Sequence, residues 1–402
     1  LNKAYLIRDR LGQKPLYYTL SSDKLLFSSN FLSISDILQR SNVNTNALHN
    51  YLNIGVIPGK ETILNNISEV LPAQILEFDL EDLRLTKTSS YWDLNKISGN
   101  ETFREDEFHS LFSDSVKIRQ NADVPVAYFL SGGIDSTSIL QSASETSSEI
   151  INTFSVIHEN DKYDESYWSN IASEKFKTNH NIQKINEDIG IEIINEALNS
   201  IDQPYFDPSV VPSFMLSKMI SSHYKVGISG DGGDELLGGY ERIIQSHSIN
   251  KRTNLAKSIY KMYPSFLGTG NKILKYSKNI NEAYWSFHED LKLMKLLKIN
   301  PDLSYRTEFM TPSKDINLKD LMISDYKFFL SQMMLFKVDR TSMANSLEVR
   351  SPFLDHRLIE YVLNTNMNFI NHDEPKKIMK DYLSKNFDNA FLNRKKQGFV
   401  FN

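Results

Sequence analysis

The stretch VAYFLSGGIDSTSIL, residues 126–140, decides the fold. It opens with a short apolar run of the kind found in buried strands, and a helix-like pattern follows its two glycines. In a parallel sheet, ligands lie beyond the carboxyl ends of the strands, and backbone N–H groups at the start of the next helix bind anions. The hydroxyl groups of Ser131, Ser136 and Ser138 can add hydrogen bonds. The stretch therefore predicts a phosphate-binding turn between a strand and a helix.

An aspartate, Asp135, stands in this turn, where a site for an anion alone needs no carboxylate. A carboxylate is useful when the phosphate carries a divalent metal. A second turn, KVGISGDGGDELLGGY at 225–240, also follows an apolar strand and holds three carboxylates, at Asp231, Asp234 and Glu235. The pair predicts a magnesium-bound phosphate site at one edge of a sheet. The first turn has neither Walker A nor G-x-G-x-x-G spacing, and taken alone it also fits an ordinary strand–helix turn. The second also fits a flexible acidic turn.

The remainder of the chain indicates an α/β protein in two parts. Residues 1–92 are β-rich, with three strands joined by turns and a later hairpin, and the polar segment 95–106 reads as a linker. From about residue 103 strands alternate with helices, which predicts a parallel, doubly wound sheet, and the pattern after about 240 is helical. We expect one domain at 1–95 and a second at 103–402.

Composition excludes several classes of function. The chain has 402 residues, a formal net charge of −5 and no cysteine, so disulfides, thiolate zinc sites and a cysteine nucleophile are absent, and a general nucleic-acid binder is disfavoured. The histidines lack zinc-binding spacing and no G-x-S-x-G occurs, which disfavours zinc enzymes and serine hydrolases. Without a signal sequence or a membrane-spanning apolar run, the chain is predicted to be cytoplasmic and not bound to membranes.

Together the two turns resemble those of the ATP pyrophosphatase (PP-loop) family, and more narrowly the synthetase domain of glutamine-hydrolysing asparagine synthetases. Residues 336–361 are similar to that family's C-terminal signature and RKKQGF at 394–399 to its lysine-bearing tail. Residues 7–18 resemble the end of a class-II glutamine amidotransferase domain, and residues 51–74 the segment that follows it. The resemblance implies an adenine nucleotide alpha-hydrolase-like sheet, preceded by a truncated β-rich domain of the N-terminal-nucleophile type.

The resemblance also implies a reaction, with ATP and Mg²⁺ as cofactors. The side-chain carboxylate of aspartate attacks the α-phosphate of ATP and releases pyrophosphate, and ammonia converts the resulting β-aspartyl-AMP to asparagine and AMP. The ammonia comes from glutamine, hydrolysed by an N-terminal part that uses a cysteine nucleophile. That cysteine and most of its domain are missing here, so we expect the natural chain to begin further upstream and the sequence as given not to hydrolyse glutamine. A homodimer is implied as well.

Site residues are carried over from the same resemblance. Asp135 and Asp234 are expected to hold the metal, and Asp231 and Lys396 to be catalytic. The tail lysine would neutralise developing charge, although Lys395 beside it keeps open an ordinary surface role. The following residues are expected to bind the nucleotide: Leu130, Ser131, Gly132, Gly133, Asp135, Ser136, Val156, Ser229 and Gly230.

Some alternatives stay open at this stage. The family has a glutamate where this chain has Asp231, so the chain either forms asparagine or amidates another carboxylate. A nucleotide-binding homologue without catalysis is the other alternative, disfavoured because Asp135, Asp234 and Lys396 are all present. Arg350 and Asp355 either orient the amino acid or have a helix-capping or interdomain salt-bridge role. The nearby Asp339 and Arg340 are expected to form a structural pair.

Overall fold

The computed structural model groups the chain into two compact units. The first unit comprises Leu1–Ile97, Gln203–Phe206 and Gly238–Leu335, and the second comprises Ser98–Asp202, Asp207–Leu237 and Phe336–Asn402. No helix among the described residues is long and apolar enough to cross a membrane. The structure describes residues 2–38, 41–147, 149–158, 166–185, 190–248, 280–311, 316–370 and 374–394.

Strands and helices are numbered in chain order over these residues. The strands are β1 Lys3–Ile7, β2 Tyr17–Leu20, β3 Leu25–Ser28, β4 Ser68–Glu69, β5 Gln74–Asp79, β6 Arg84–Ser90, β7 Val126–Phe129, β8 Asn152–His158, β9 Asn179–Ile185, β10 Val226–Ile228 and β11 Glu348–Arg350. The helices are α1 Phe31–Leu38, α2 Thr45–Ile54, α3 Glu105–Gln120, α4 Ile134–Thr146, α5 Ser166–Phe176, α6 Ile191–Asn199, α7 Val210–Ser221, α8 Gly233–Leu237, α9 Glu241–Ser248, α10 Ile280–Trp285, α11 Leu291–Leu296, α12 Arg306–Phe309, α13 Leu318–Asp325, α14 Leu335–Met343, α15 His356–Asn364, α16 Lys377–Leu383 and α17 Asn389–Leu392. A π-helical stretch, Tyr326–Met334, joins α13 to α14.

The first unit contains two antiparallel sheets, ordered β1–β5–β6 and β3–β2–β4. The predicted hairpin is confirmed as β5 and β6. β1 and β2 do not pair with each other: β1 pairs with β5, whereas β2 forms a hairpin with β3 and also pairs with β4. The Asp9 carboxylate accepts hydrogen bonds from the backbone N–H groups of Leu11, Gln13 and Lys14. This fixed turn carries the chain from one sheet to the other.

Helices α9 to α13 also belong to the first unit and enclose a buried ion pair. Arg242 donates from Nε and Nη2 to the two carboxylate oxygens of Asp325, over 3.1 and 2.8 Å. The hydroxyl of Tyr284 donates to the same carboxylate over 2.8 Å. Asp325 has no exposed surface, so its charge is balanced entirely by neighbouring protein groups.

The second unit is built on a five-stranded sheet in the order β11–β10–β7–β8–β9, with every pair parallel. The first strand along the chain, β7, lies in the middle, with β8 on one side and β10 on the other. The strand order therefore reverses between β7 and β10, and such a switch point is where open parallel sheets bind ligands. The predicted parallel sheet is confirmed.

Helices cover both faces of this sheet. On one face Leu216 and Ile220 of α7 pack against Ala127 and Phe154. Side chains alternate along a strand, so Tyr128 points to the opposite face. There its hydroxyl accepts a hydrogen bond of 2.7 Å from Gln120 at the end of α3. This two-sided cover explains why the strands read as short, continuous apolar runs.

Sequence patterning did not predict the edge strand β11, which has only three residues, Glu348–Arg350. It pairs in parallel with β10. The backbone carbonyl of Arg350 accepts a hydrogen bond of 3.0 Å from the N–H of Ser229. The strand thus supports the start of the second glycine turn. The predicted domain boundaries at 1–95 and 103–402 remain a prediction.

Candidate active site

The turn after β7 is held by its own side chains. Leu130 is buried, and its carbonyl oxygen accepts a hydrogen bond from the hydroxyl of Ser155 on β8. The N–H of Gly133 donates to Oγ of Ser131 over 3.1 Å, and Oγ of Ser136 donates to the carbonyl of Gly133 over 3.2 Å. These bonds shape residues 131–136 into a compact turn at the start of α4.

Gly132 is required in this turn for two reasons. Its φ is +73°, which residues with a side chain rarely adopt. A Cβ there would lie 2.5 Å from the backbone nitrogen of Ser169 and 2.6 Å from the carbonyl carbon of Trp168. The first turn of α5 therefore contacts the backbone of Gly132 directly, and no larger residue fits.

The turn after β10 places Asp231 in a partly enclosed position. Its Oδ2 accepts a hydrogen bond of 2.7 Å from Oγ of Ser229, and its backbone carbonyl accepts one from the hydroxyl of Ser351. Burial raises the pKa of the Asp231 carboxyl above its ordinary value, although the Ser229 hydrogen bond and the charge of Lys337 oppose the rise. Asp231 is therefore a better proton acceptor than an exposed aspartate.

The two turns meet, as the sequence predicted. A Cβ at Gly230 would lie 3.2 Å from Cβ of Asp135, and a Cβ at Gly233 would lie 2.6 Å from Cγ of the same residue. The side chain of Asp135 thus rests against the glycine backbone of the second turn. This contact lies at the switch point between β7 and β10.

Lys376 links the two turns, and sequence reasoning missed it. Its ammonium group contacts Oδ2 of Asp135 and lies 2.6 Å from Oδ1 of Asp234. Only 9% of its side chain is exposed. Burial alone would lower the pKa of Lys376, but the charges of the two aspartates outweigh this and raise it above its ordinary value. Lys376 therefore stays protonated, and its positive charge lies between two carboxylates.

These residues fit a magnesium ion that arrives with phosphate. Asp135 and Asp234 point their oxygens at one position, that of Nζ of Lys376. Mg²⁺ is commonly held by one or two carboxylates together with substrate phosphates and water. No cluster of three or more histidine, cysteine, aspartate or glutamate side chains suited to a metal occurs in the described part of the chain. The expectation that Asp135 and Asp234 hold the metal stays a prediction.

The other predicted residues lie in different surroundings. Val156 is partly buried on β8, in the apolar cluster that packs under α7. Ser229 is buried at the end of β10, next to Gly230. Lys396 and its neighbour Lys395 lie outside the described residues.

Arg350 and Asp355 both make structural contacts. Asp355 caps α15 by accepting a hydrogen bond of 3.0 Å from the N–H of Arg357, and it pairs with Arg119 over 2.9 Å. Nη1 of Arg350 donates to the backbone carbonyls of Arg119 and Asn121. The structure therefore shows the helix cap, and it shows a salt bridge within the second unit in place of the expected interdomain one. A role in orienting the amino acid stays a prediction.

The expected pair of Asp339 and Arg340 is loose. Their charged atoms are 3.7 Å apart, whereas Arg340 approaches Asp202 to 2.8 Å. All three side chains are buried. The closer partner of Arg340 is thus remote in sequence, and adjacency did not reveal it.

Comparison with known proteins agrees with this geometry. Residues 107–401 match the family model described as asparagine synthase, which covers most of the chain and both glycine turns. The chain belongs to the asparagine synthase family. Residues 2–92 match the model of a glutamine amidotransferase domain.

Curated relatives carry related names. A Methanocaldococcus jannaschii protein named "Putative asparagine synthetase (glutamine-hydrolyzing) 2" is 33% identical over 305 residues, covering 74% of this chain and 57% of that protein. Asparagine synthetase 1 of Bacillus subtilis is 29% identical, covering 87% of this chain and 58% of the relative. Asparagine synthetase 3 of the same bacterium is 28% identical, covering 99% and 65%. The chain therefore spans well under two thirds of the length of the first two relatives.

Proposed function

We propose that this member of the asparagine synthase family makes asparagine from aspartate in an ATP-dependent reaction that releases AMP and pyrophosphate. The single observation that carries the proposal is the meeting of the two glycine turns, with Asp135, Asp234 and Lys376 in contact. Splitting ATP between its α- and β-phosphates is favoured by backbone N–H groups that bind phosphate, carboxylates that hold a metal and a positively charged side chain. The second unit has a candidate for each of the three.

The nucleotide would lie over the first turn. Backbone N–H groups at the start of α4 face an anion placed there, and the helix dipole adds to their attraction. Ser131 is exposed at the tip of the turn while Ser136 is buried beneath it. Leu130 and Val156 lie at neighbouring strand positions, where the resemblance puts the adenosine. Ser229 and Gly230 complete the phosphate side.

Asp135 and Asp234 would hold Mg²⁺ against the phosphates. The ion, when bound, neutralises charge on the departing pyrophosphate and lets the negatively charged carboxylate of aspartate approach. Lys376 would contribute a second positive charge at the same end. Its ammonium is compact and sits on a flexible stem, so it can follow the phosphate oxygens as pyrophosphate leaves.

Asp231 would serve the second step. Ammonia must lose a proton when it attacks the acyl-adenylate, and a carboxylate within reach can accept that proton. The raised pKa of Asp231 suits this task. We propose Asp231 as this base. Lys396, which the family resemblance assigns to charge neutralisation, keeps that role as a prediction.

Glutamine is the proposed source of the ammonia. Residues 2–92 match a glutamine amidotransferase domain, while the sequence has no cysteine to act as the glutaminase nucleophile. We therefore assign to the given chain the synthetase half-reactions alone, with free ammonia as a substitute for glutamine in the assay.

The test is exchange of radiolabelled pyrophosphate into ATP, measured with aspartate and magnesium present. Exchange that depends on aspartate supports the proposed adenylation, and asparagine formation on adding ammonia supports the second step. A panel of other carboxylates in place of aspartate tests the alternative substrate. Exchange with another carboxylate but not with aspartate would replace asparagine synthesis by a related amidation, and a folded protein that gives no exchange with any of them would refute the proposal.

A further inference from the structure

The ammonium group of Lys376 occupies the space that a metal ion would take. It contacts Oδ2 of Asp135 and lies 2.6 Å from Oδ1 of Asp234. A magnesium ion bound to the same oxygens, at its usual distance of about 2.1 Å, would fall in the same gap. The lysine head group and a metal bound to these same two oxygens therefore cannot occupy this position together.

Displacing the lysine by metal alone is unfavourable. The exposed fractions of the side chains are 9% for Lys376, 18% for Asp135 and 12% for Asp234. A buried ammonium that loses its carboxylate partners keeps its charge without compensation, and such a charge is costly in a poorly hydrated place. Free metal would have to overcome this cost before it gained its two ligands.

A polyphosphate changes the balance because it offers the lysine new partners. Phosphate oxygens carry the negative charge that the ammonium gives up when it leaves the aspartates. The four-carbon stem of lysine allows the head group to move by several ångströms without a change in the backbone. The metal can then enter as the lysine turns toward the phosphates.

The backbone beneath Lys376 is well anchored during such a movement. Lys376 precedes α16, and the buried Gln141 of α4 holds the far end of that helix. Nε2 of Gln141 donates to the carbonyl of Tyr382 over 3.1 Å, and its Oε1 accepts from Nδ2 of Asn386 over 3.1 Å. Helix α4 begins at the first glycine turn. The helix that follows Lys376 and the first glycine turn are therefore both attached to α4.

We propose that Lys376 is a resident counter-ion, which keeps free divalent metal out of the site and gives up its place only when the metal arrives with a polyphosphate. The inference rests on the proposed role of Asp135 and Asp234 as metal ligands. It sets an order of binding: metal and polyphosphate enter together, and metal alone does not enter.

The first measurement uses the unmodified protein and Mn²⁺ as a spectroscopic stand-in for Mg²⁺. Protein-bound Mn²⁺ is followed by electron paramagnetic resonance, with and without pyrophosphate, after correction for Mn²⁺–pyrophosphate complexes in solution. We expect binding at least about tenfold tighter when pyrophosphate is present. Equal affinity with and without pyrophosphate would overturn the inference.

The second measurement removes the charge. Lys376→Met keeps most of the side-chain length, and we expect it to bind Mn²⁺ alone at least about tenfold more tightly than the unmodified protein. The same variant should bind pyrophosphate less well. Lys377→Met is the matched control, because Lys377 is half-exposed and pairs with Glu374 and Asp381. It should leave both affinities unchanged.

Adding Asp135→Asn to Lys376→Met should abolish the gain in Mn²⁺ affinity. An Lys376→Met variant that folds but binds Mn²⁺ no better than the unmodified protein would refute the inference. Should the variant not fold, the pyrophosphate comparison on the unmodified protein decides alone. Pyrophosphate exchange on the same preparation separates the two proposals: tight binding of Mn²⁺ alone together with aspartate-dependent exchange defeats the counter-ion role and leaves the proposed function standing.

Discussion

Two buried clusters of cations and carboxylates are built in different ways. In the first unit, Arg242 faces the single carboxylate of Asp325 with a two-pronged hydrogen bond, and Tyr284 adds a third contact. In the second unit, Lys376 faces two carboxylates, those of Asp135 and Asp234. The first cluster pairs one cation with one carboxylate, whereas the second places one cation between two carboxylates.

From this difference we expect the first cluster to be structural and the second to exchange its cation. The guanidinium of Arg242 also lies 3.7 Å from the ring centre of Tyr240 and 3.8 Å from that of Phe329. Its planar fork is matched on every side, and a spherical ion could not replace it. The compact ammonium of Lys376 has a geometry that a metal ion can imitate. Substitutions should therefore affect stability at one cluster and catalysis at the other.

The largest effect is expected for Asp135→Asn. The amide removes one of two proposed metal ligands, so pyrophosphate exchange should fall by about 1000-fold or more while the protein stays folded. Exchange and a circular dichroism melt are measured together. Asp381→Asn, on the half-exposed partner of Lys377, is the control and should exchange normally. Normal exchange by the Asp135 variant would end the metal assignment.

The second largest effect is expected for Arg242→Met, which should lower the stability of the protein. Without the guanidinium, the fully buried Asp325 keeps an uncompensated charge, and the free energy of unfolding should fall by about 3–5 kcal/mol. Urea denaturation checks this. Replacing both partners by apolar residues, as Arg242→Met with Asp325→Leu, should recover part of the loss. A single variant as stable as the unmodified protein would show that the pair is not structural.

Asp231→Asn should separate the two proposed steps. Without the base, asparagine formation from ammonia should slow by about 100-fold, while aspartate-dependent pyrophosphate exchange persists. Because the pKa of Asp231 is raised, the rate of the ammonia step should fall as the pH falls through that raised pKa and the carboxylate becomes protonated. Asp231→Asn should lose this pH dependence. If exchange fell in parallel with amide formation, Asp231 would act in adenylation as well.

Asp355 offers a pH test of a purely structural carboxylate. Burial alone would raise its pKa, but hydrogen bonds from Arg357 and Arg119 outweigh it and hold the pKa well below the ordinary value. A depressed pKa stabilises the folded state above the unfolded value of about 4, and this contribution is lost as the pH falls below it. Asp355→Asn should cost about 2 kcal/mol at pH 7 and less at pH 3, as measured by denaturant titration. A loss independent of pH would contradict the charge argument.

The smallest effect is expected at an exposed ion pair. Arg84 and Asp82 approach to 3.3 Å with about two thirds of each side chain in solvent. Water and salt screen such pairs, so Arg84→Met should change the free energy of unfolding by less than about 0.5 kcal/mol. The same urea titration as for Arg242 gives the comparison. A loss of stability as large as that of Arg242→Met would mean that burial does not explain the difference between the two ion pairs.

The sequence predicted the meeting of the two turns because each signal is local. A strand, glycines and a carboxylate follow one another within a few residues, and the parallel sheet brings both strand ends to one edge. No local sequence motif identifies Lys376 as a site residue. It is one of several lysines near a proline, and it reaches the site only because α16 packs on α4 through Gln141.

Other features were missed for related reasons. The edge strand β11 is too short for a period to show, and β1 and β2 separate into two sheets because side chains of the connecting turn hold it in shape. The contacts of Asp355 and Arg350 could not be predicted, because a sequence does not show which carboxylate will meet which guanidinium. The composition of these segments indicated their type of structure, but it did not indicate which distant residues they would contact.

Gly132 has a consequence for reading genomes. A side chain at that position would collide with the backbone of α5, which cannot move aside as a side chain could. Among gene copies that share this fold, a residue other than glycine at this one position should therefore mark those that have lost the proposed nucleotide site. It can be inspected before any protein is purified.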